Sequence, residues 1–176
     1  MKLVWRGLRR PAVPAEVAAA ISAGEGSDDR LLAWARADGA PVTVVAGTTH
    51  LYAVTDSGDV VLARPWHLVD AGVWNPEEWM LRVTWVDGQP RQRWVFREPG
   101  ELPQTVHERV QASVVLADLV DLGEGRRGRV VVRRDLGTGA LLSQALLGRG
   151  VRMADPGVAE AVKTALAPLR EQVGLD

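Results

Sequence analysis

"RPWHLVDAGVWNPEEWMLRVTW", Arg64 to Trp85, carries four of the seven tryptophans in a chain of 176 residues that has one Tyr and one Phe. Its second half decides the fold class. Trp79, Leu81, Val83 and Trp85 share one parity, while Met80, Arg82, Thr84 and Val86 share the other. That is the period of a strand with one buried face. Asn75 to Glu78 and Asp87–Gly88 are turn material on either side. The return, "RQRWVFRE" (Arg91 to Glu98), puts Trp94 and Phe96 on one face and Arg91, Arg93, Val95 and Arg97 on the other. Two such runs joined by a short turn predict antiparallel pairing. With so few other aromatics, Trp79, Trp85 and Trp94 are expected in the core as cross-strand packing partners. Trp66 and Trp74 flank a less regular stretch and are the candidates for a partner-binding surface.

The same logic extends to both sides. "VTVVAG" (Val42 to Gly47) and "HLYAVT" (His50 to Thr55) alternate, and Asp56 to Asp59 supply turn residues between two β-rich runs. A meander of about six strands results. Before it, Pro14 to Ile21 reads as a short helix with Pro14 in its first turn. Asp28 to Gly39 reads as a second helix, with Asp28 and Asp29 at its positive end, Gly39 at its C-cap, and Leu31, Leu32 and Trp34 inward. Trp5 is a candidate docking anchor between segments or subunits. After the meander, Pro103 opens a helix whose Leu102, Val106 and Val110 form one stripe.

Val114 to Val120 is compatible with helix or strand, and its β-branched residues favour strand. "RVVVRRD" (Arg129 to Asp135) and "LLSQALLG" (Leu141 to Gly148) form a hairpin. The last helix has Asp155 as expected N-cap and Pro156 as first residue. Val158, Val162, Leu166, Leu169 and Val173 form its stripe, and Pro168 is expected to kink it. The segments are thus 1–40 helical, 41–113 meander with helix, and 114–176 hairpin with helix, forming one compact α+β unit.

The chain has no Cys, so disulfides, thiolate metal sites and cysteine nucleophiles are excluded. The net charge is −1, too small to select nucleic acid or an anionic membrane by a global field. The residues after Leu122 nevertheless carry a basic surplus. No apolar run has the length of a membrane span, and no apolar core follows Lys2 and the early arginines as in a signal peptide, so a cytoplasmic protein is expected. The strong preference for Arg over Lys points to a high-GC genome of the actinobacterial kind.

From His50 to Val110 the order of parts is a hairpin of the type "LYAVTD…VV", a strand entered through "PWHLV", a meander and one helix. This order resembles bacterial PH-like domains, and more closely a group of small actinobacterial proteins built on that pattern. The resemblance implies a bent sheet closed at one end by the Leu102–Val110 helix. It also implies a binding module for lipid headgroups, peptides or partner proteins. Lipid-binding members use basic residues in the first hairpin loop. Here that loop is "AGTTH" (Ala46 to His50) without Lys or Arg, so phosphoinositide binding is not expected.

Chemistry is sparse. His50, His67 and His107 have no metal-ligand spacing. His67 and Asp70 could mimic a base and its orienting acid, but three residues apart on a strand they face opposite ways. No G-x-S-x-G, Walker A or G-x-G-x-x-G motif occurs. Glu77–Glu78 lie in a turn and Asp28–Asp29 at a helix start, which speaks against general acid–base work. The one notable cluster is Arg126, Arg127, Arg129, Arg133 and Arg134, with Arg149 and Arg152 beyond. It reads either as a phosphate-contacting edge or as a solvated hairpin edge that resists aggregation. Arg134 differs in parity from Arg129 and Arg133, and no aromatics are interleaved for base stacking.

The sequence therefore predicts a non-catalytic protein-interaction or binding module, with no cofactor and with a protein partner or self-association through the terminal helices. A nucleic-acid-associated protein using Arg126 to Arg134 is the alternative. An enzyme is the second alternative, and it requires a concave pocket with His67 or His107 beside a carboxylate.

Overall fold

A computed structural model describes residues 12–24 and 28–175; Trp5 lies outside them. Helix α1 (Ala15–Ser22) precedes an antiparallel sheet of four strands in sequence order: β1 (Leu31–Arg36), β2 (Val42–Gly47), β3 (His50–Thr55) and β4 (Val60–Pro65). A single 3-10 turn (Trp66–Leu68) leads to a second antiparallel sheet of β5 (Val69–Asn75), β6 (Met80–Trp85) and β7 (Gln92–Val95), then helix α2 (Leu102–Ser113). A third sheet has the order β10-β9-β8, from β8 (Val114–Asp121), β9 (Arg127–Arg134) and β10 (Leu141–Leu147), and α3 (Val158–Gln172) closes the chain. The fold is α+β, and the six meander strands, the α2 stripe, the β8 strand and the final hairpin and helix stand where the sequence put them.

The main core lies between the first two sheets. Val44, Ala46, Leu51 and Ala53 face Val69, Leu81, Val83, Trp85, Trp94 and Phe96, and α2 adds Leu102, Val106 and Val110. Helix α2 packs on β1 and β2 as well as β5, so it bridges both sheets. The opposite face of the first sheet is also covered: Val45, Tyr52 and Val54 pack under Val17 and Ile21 of α1. In the third sheet, Val130 and Val132 point to Val158, Val162 and Leu169 of α3. The other face of β9 points to the main body.

Three expectations are corrected. Leu31–Arg36 is a strand paired with β2, not part of a helix, so the sheet begins ten residues before Pro41, and among the described residues before it α1 is the helix. Alanine favours helix locally, but Ala33, Ala35 and Ala37 alternate into the main core. A bulge between Leu31 and Ala33 lets both Leu31 and Trp34 pack on the α1 side. Second, Trp79 is half exposed rather than core. It closes the β5–β6 turn with φ 52°, where its carbonyl accepts from Phe96 N at 2.7 Å. That left-handed residue breaks the strand parity before Met80. Third, α3 starts after Gly157 in the left-handed region, not at Asp155. The Asp155 carboxylate instead accepts from Arg152 N at 2.9 Å.

Gly72 sets how close α2 comes to β5. A Cβ there would lie 2.4 Å from Val106 Cγ1, a β-branched side chain with no room to swing. Gly72→Ala is expected to cost about 1–3 kcal/mol, the usual cost of overpacking. In urea unfolding, Gly72→Ala combined with Val106→Ala should lose clearly less than the two single losses added.

Candidate functional site

Between β5 and α2 runs a groove of about 370 Å³ lined by Gly72, Trp74, Pro99, Gly100, Pro103, Gln104 and His107. Its floor follows from the sequence. Gly72 and Trp74 are the core-side residues of β5, opposite Val83 and Leu81 of β6. Gly72 is covered by Val106, whereas Trp74 only packs against the rim of the core and stays partly open. Pro103, Gln104 and His107 are the first two turns of α2, and the last two of these side chains are exposed. β5 is an outer strand with a strand neighbour only in β6, so its other side offers unpaired backbone groups.

The two tryptophans singled out by the sequence part company here. Trp74 lines the groove. Trp66 is fully buried, and its indole Nε1–H donates to the Gly47 carbonyl at 3.1 Å, so it is a core residue and is withdrawn as a partner contact. It lies in the 3-10 turn, whose tight path buries a side chain that an irregular strand would have left at the rim.

The five arginines do not form one edge. Arg133 has 1% exposure, donates to Ser113 Oγ at 2.9 Å and to the Asp70 carbonyl at 3.3 Å, and cannot meet a phosphate. Burial pushes its guanidinium down from the ordinary value, with the Asp70 carboxylate working against that and Arg129 adding to it. Arg129 is ion-paired to the same Asp70 carboxylate. Arg126 donates to the Leu122 and Gly123 carbonyls and lies 3.7 Å from Asp155. Arg127 and Arg134, at the two ends of β9, are the exposed pair. Arg129 and Arg133, which share a parity that Arg134 lacks, join the third sheet to the body.

Sequence reasoning missed a polar junction around the β2–β3 turn. Asp29, with a side chain 2% exposed, accepts from Thr48 Oγ1 at 2.5 Å, Thr49 N at 3.0 Å, His50 N at 3.0 Å and Tyr52 Oη at 2.9 Å. Burial pushes this carboxyl up, but the bonds from Thr48, Thr49 and Tyr52 outweigh it and hold it below the usual range. Nearby, His67 Nδ1 is buried without a hydrogen bond, 4.0 Å from Asp135, and its carbonyl accepts from Gln144 Nε2 at 2.8 Å. Asp70, which the strand spacing spoke against as a partner of His67, is paired with Arg129. Burial lowers the His67 imidazole, Asp135 opposes this, and His50 and Arg133 add to it. The chemistry available is that of an imidazole, disfavoured in its charged form by burial, beside a carboxylate in a partly buried junction. The groove has His107 but no carboxylate among its lining residues.

Among the described residues no group of three or more His, Asp or Glu is placed to hold a metal ion, and no helix is long and apolar enough to cross a membrane. No protein-family model and no curated protein matches the chain.

The junction sets a pH dependence. An imidazole whose folded value is lowered binds fewer protons than in the unfolded chain, so stability falls as pH drops below the unfolded value of about 6.5. Urea midpoints should therefore fall between about pH 7 and about pH 5, and His67→Gln should flatten that interval. The lowered Asp29 and Asp135 act later: their contribution is present above the unfolded value near 4 and is lost below it.

Proposed function

We propose that the protein is a non-catalytic interaction module. Residues 31–113 form a PH-like unit that takes an extended segment of a protein partner along β5, in the groove bounded by α2. The observation that carries this reading is the pairing of two features at one place: an outer strand open on one side, and Trp74 half-buried beside it. Backbone groups of an added strand give affinity, and a groove for alternate side chains gives selectivity. A large indole in a partly desolvated groove is the side chain most often found to dominate such contacts. What supports the PH-like part of this reading is the antiparallel meander followed by one helix that packs on both sheets. The uncharged Ala46–His50 loop fits a protein partner better than an anionic headgroup.

The test is selection of peptides from a displayed random library by the intact protein, followed by titration. Selected peptides should shift the backbone amide resonances of residues 71–75 and 103–107. Trp74→Ala should weaken them tenfold or more, about 1.4 kcal/mol. Because Trp74 also touches the core, His107→Trp, an exposed-face substitution that narrows the groove, should weaken them without lowering stability. Peptides that map elsewhere and ignore both substitutions would sink the reading.

A further inference from the structure

The outer face of the second sheet holds a charge arrangement that the fold itself does not explain. Arg82 of β6 stands directly opposite Arg93 of β7 in the register. Like charges facing each other across a ladder are destabilising. Among the described residues neither guanidinium has an ion pair, and the buried Nε of Arg82 has no hydrogen-bond partner. On its other side Arg82 faces Val73 of β5, which is 53% exposed. Met80 faces Val95, itself 38% exposed, so apolar surface flanks the arginines. Of the acids on or beside this sheet, Asp70 of β5 is paired with Arg129 and Asp87 with Arg64, while Glu77 and Glu78 belong to the β5–β6 turn, where their backbone N–H groups donate to Asn75 Oδ1.

We infer that the segment added along β5 carries acidic side chains on alternate positions, directed toward Arg82 on the outer face with Arg93 behind it, and apolar side chains between them, directed to the Trp74 groove. This rests on the strand-addition reading above and names the chemistry of its partner. Successive side chains of a strand point to opposite faces. A strand paired with β5 therefore presents one parity to the face of Val73 and Arg82, and the other to the face of Gly72 and Trp74. On the first face no carboxylate is paired with Arg82 or Arg93 among the described residues, and the second is apolar. Arg82 is one strand away from the incoming segment, and repulsion from Arg93 favours its extension over Val73 toward that segment. A carboxylate there supplies the missing counter-charge, and a partner of opposite sign is refused by the same pair.

The experiment uses the full chain and three synthetic nonapeptides, alternating Val with Glu, Val with Gln, and Val with Lys, titrated by fluorescence anisotropy. The Val/Glu peptide should bind at least tenfold tighter than the Val/Lys peptide, with Val/Gln between, and the difference should shrink as salt is raised. In Arg82→Gln/Arg93→Gln the three affinities should converge on that of Val/Gln. These exposed-face changes relieve a repulsion, so the variant should unfold no earlier than the parent. Equal affinity of all three for the parent protein, or a Glu preference that survives the double substitution, overturns the inference and leaves the strand-addition reading standing. No binding of any peptide also overturns it; failure of the displayed library as well would mean that the reading beneath it is wrong. Binding of anionic vesicles through Arg82 and Arg93 with no peptide binding would reassign the face to a membrane and overturn the inference.

Discussion

One buried carboxylate organises the entrance to the fold. Asp29 leaves almost no surface to solvent, and its oxygens are shared among two hydroxyl groups and two backbone amides of the β2–β3 turn and β3, and the Tyr52 hydroxyl is one of these donors. A carboxylate so placed is costly unless every lone pair is met. Here the donors come from a segment roughly twenty residues on, so the cost is offset only if the chain preceding β1 lies against that turn. This fixes the start of β1 beside the end of β2. Gly47 makes the approach possible, since a Cβ there would lie 2.2 Å from Asp29 Oδ2. The Gly47 carbonyl in turn holds the Trp66 indole, which positions the step from the first sheet to the second.

A second polar joint attaches the third sheet. Arg133 reaches from β9 to the last residue of α2 and to the start of β5, and Arg129 adds an ion pair to the same Asp70. Gln144 on β10 donates to the His67 carbonyl. The interface between the two N-terminal sheets and the final hairpin is thus polar on this side, while the opposite side of the hairpin is a plain apolar layer against α3. Buried polar contacts of this kind are directional, so they select one docking geometry where an apolar face would tolerate several.

The alternation of large apolar and polar residues from Val42 to Phe96 made the meander legible, because a one-face-buried strand has a period that no helix shares. The α2 and α3 stripes were legible for the complementary reason. What failed had a physical cause in each case. Leu31–Arg36 uses alanines as its buried residues, and alanine's local preference is for helix, so only the sheet partner β2 reveals the strand. Trp79 occupies a left-handed turn position where a glycine or asparagine would have been readable. Asp28–Asp29 looked like a helix start, because nothing in sequence shows donors twenty residues away. Of the candidate contacts, Trp74 was reachable from the sequence, but the separation of Trp66 from Trp74 depends on a 3-10 turn. The division of the arginines depends on which face of β9 meets β5.

β5 is the element where these constraints meet. Its Gly72 admits α2, its Asp70 anchors β9, and its outer side has no strand partner. A strand held on three sides and open on the fourth would be ordered before a segment is added. The ordering cost of association then falls on the incoming segment alone, which is the condition under which a modest groove gives useful affinity. The same ordering makes the two faces of β5 act together. Moving a segment by one residue along the strand would exchange every side chain between the arginine face and the groove. A register error would thus place charge against Trp74 and apolar groups against Arg82. On the proposed strand-addition reading, alternation in the partner would be read as a pattern, and selectivity would come from the pleat of one strand as much as from any single contact.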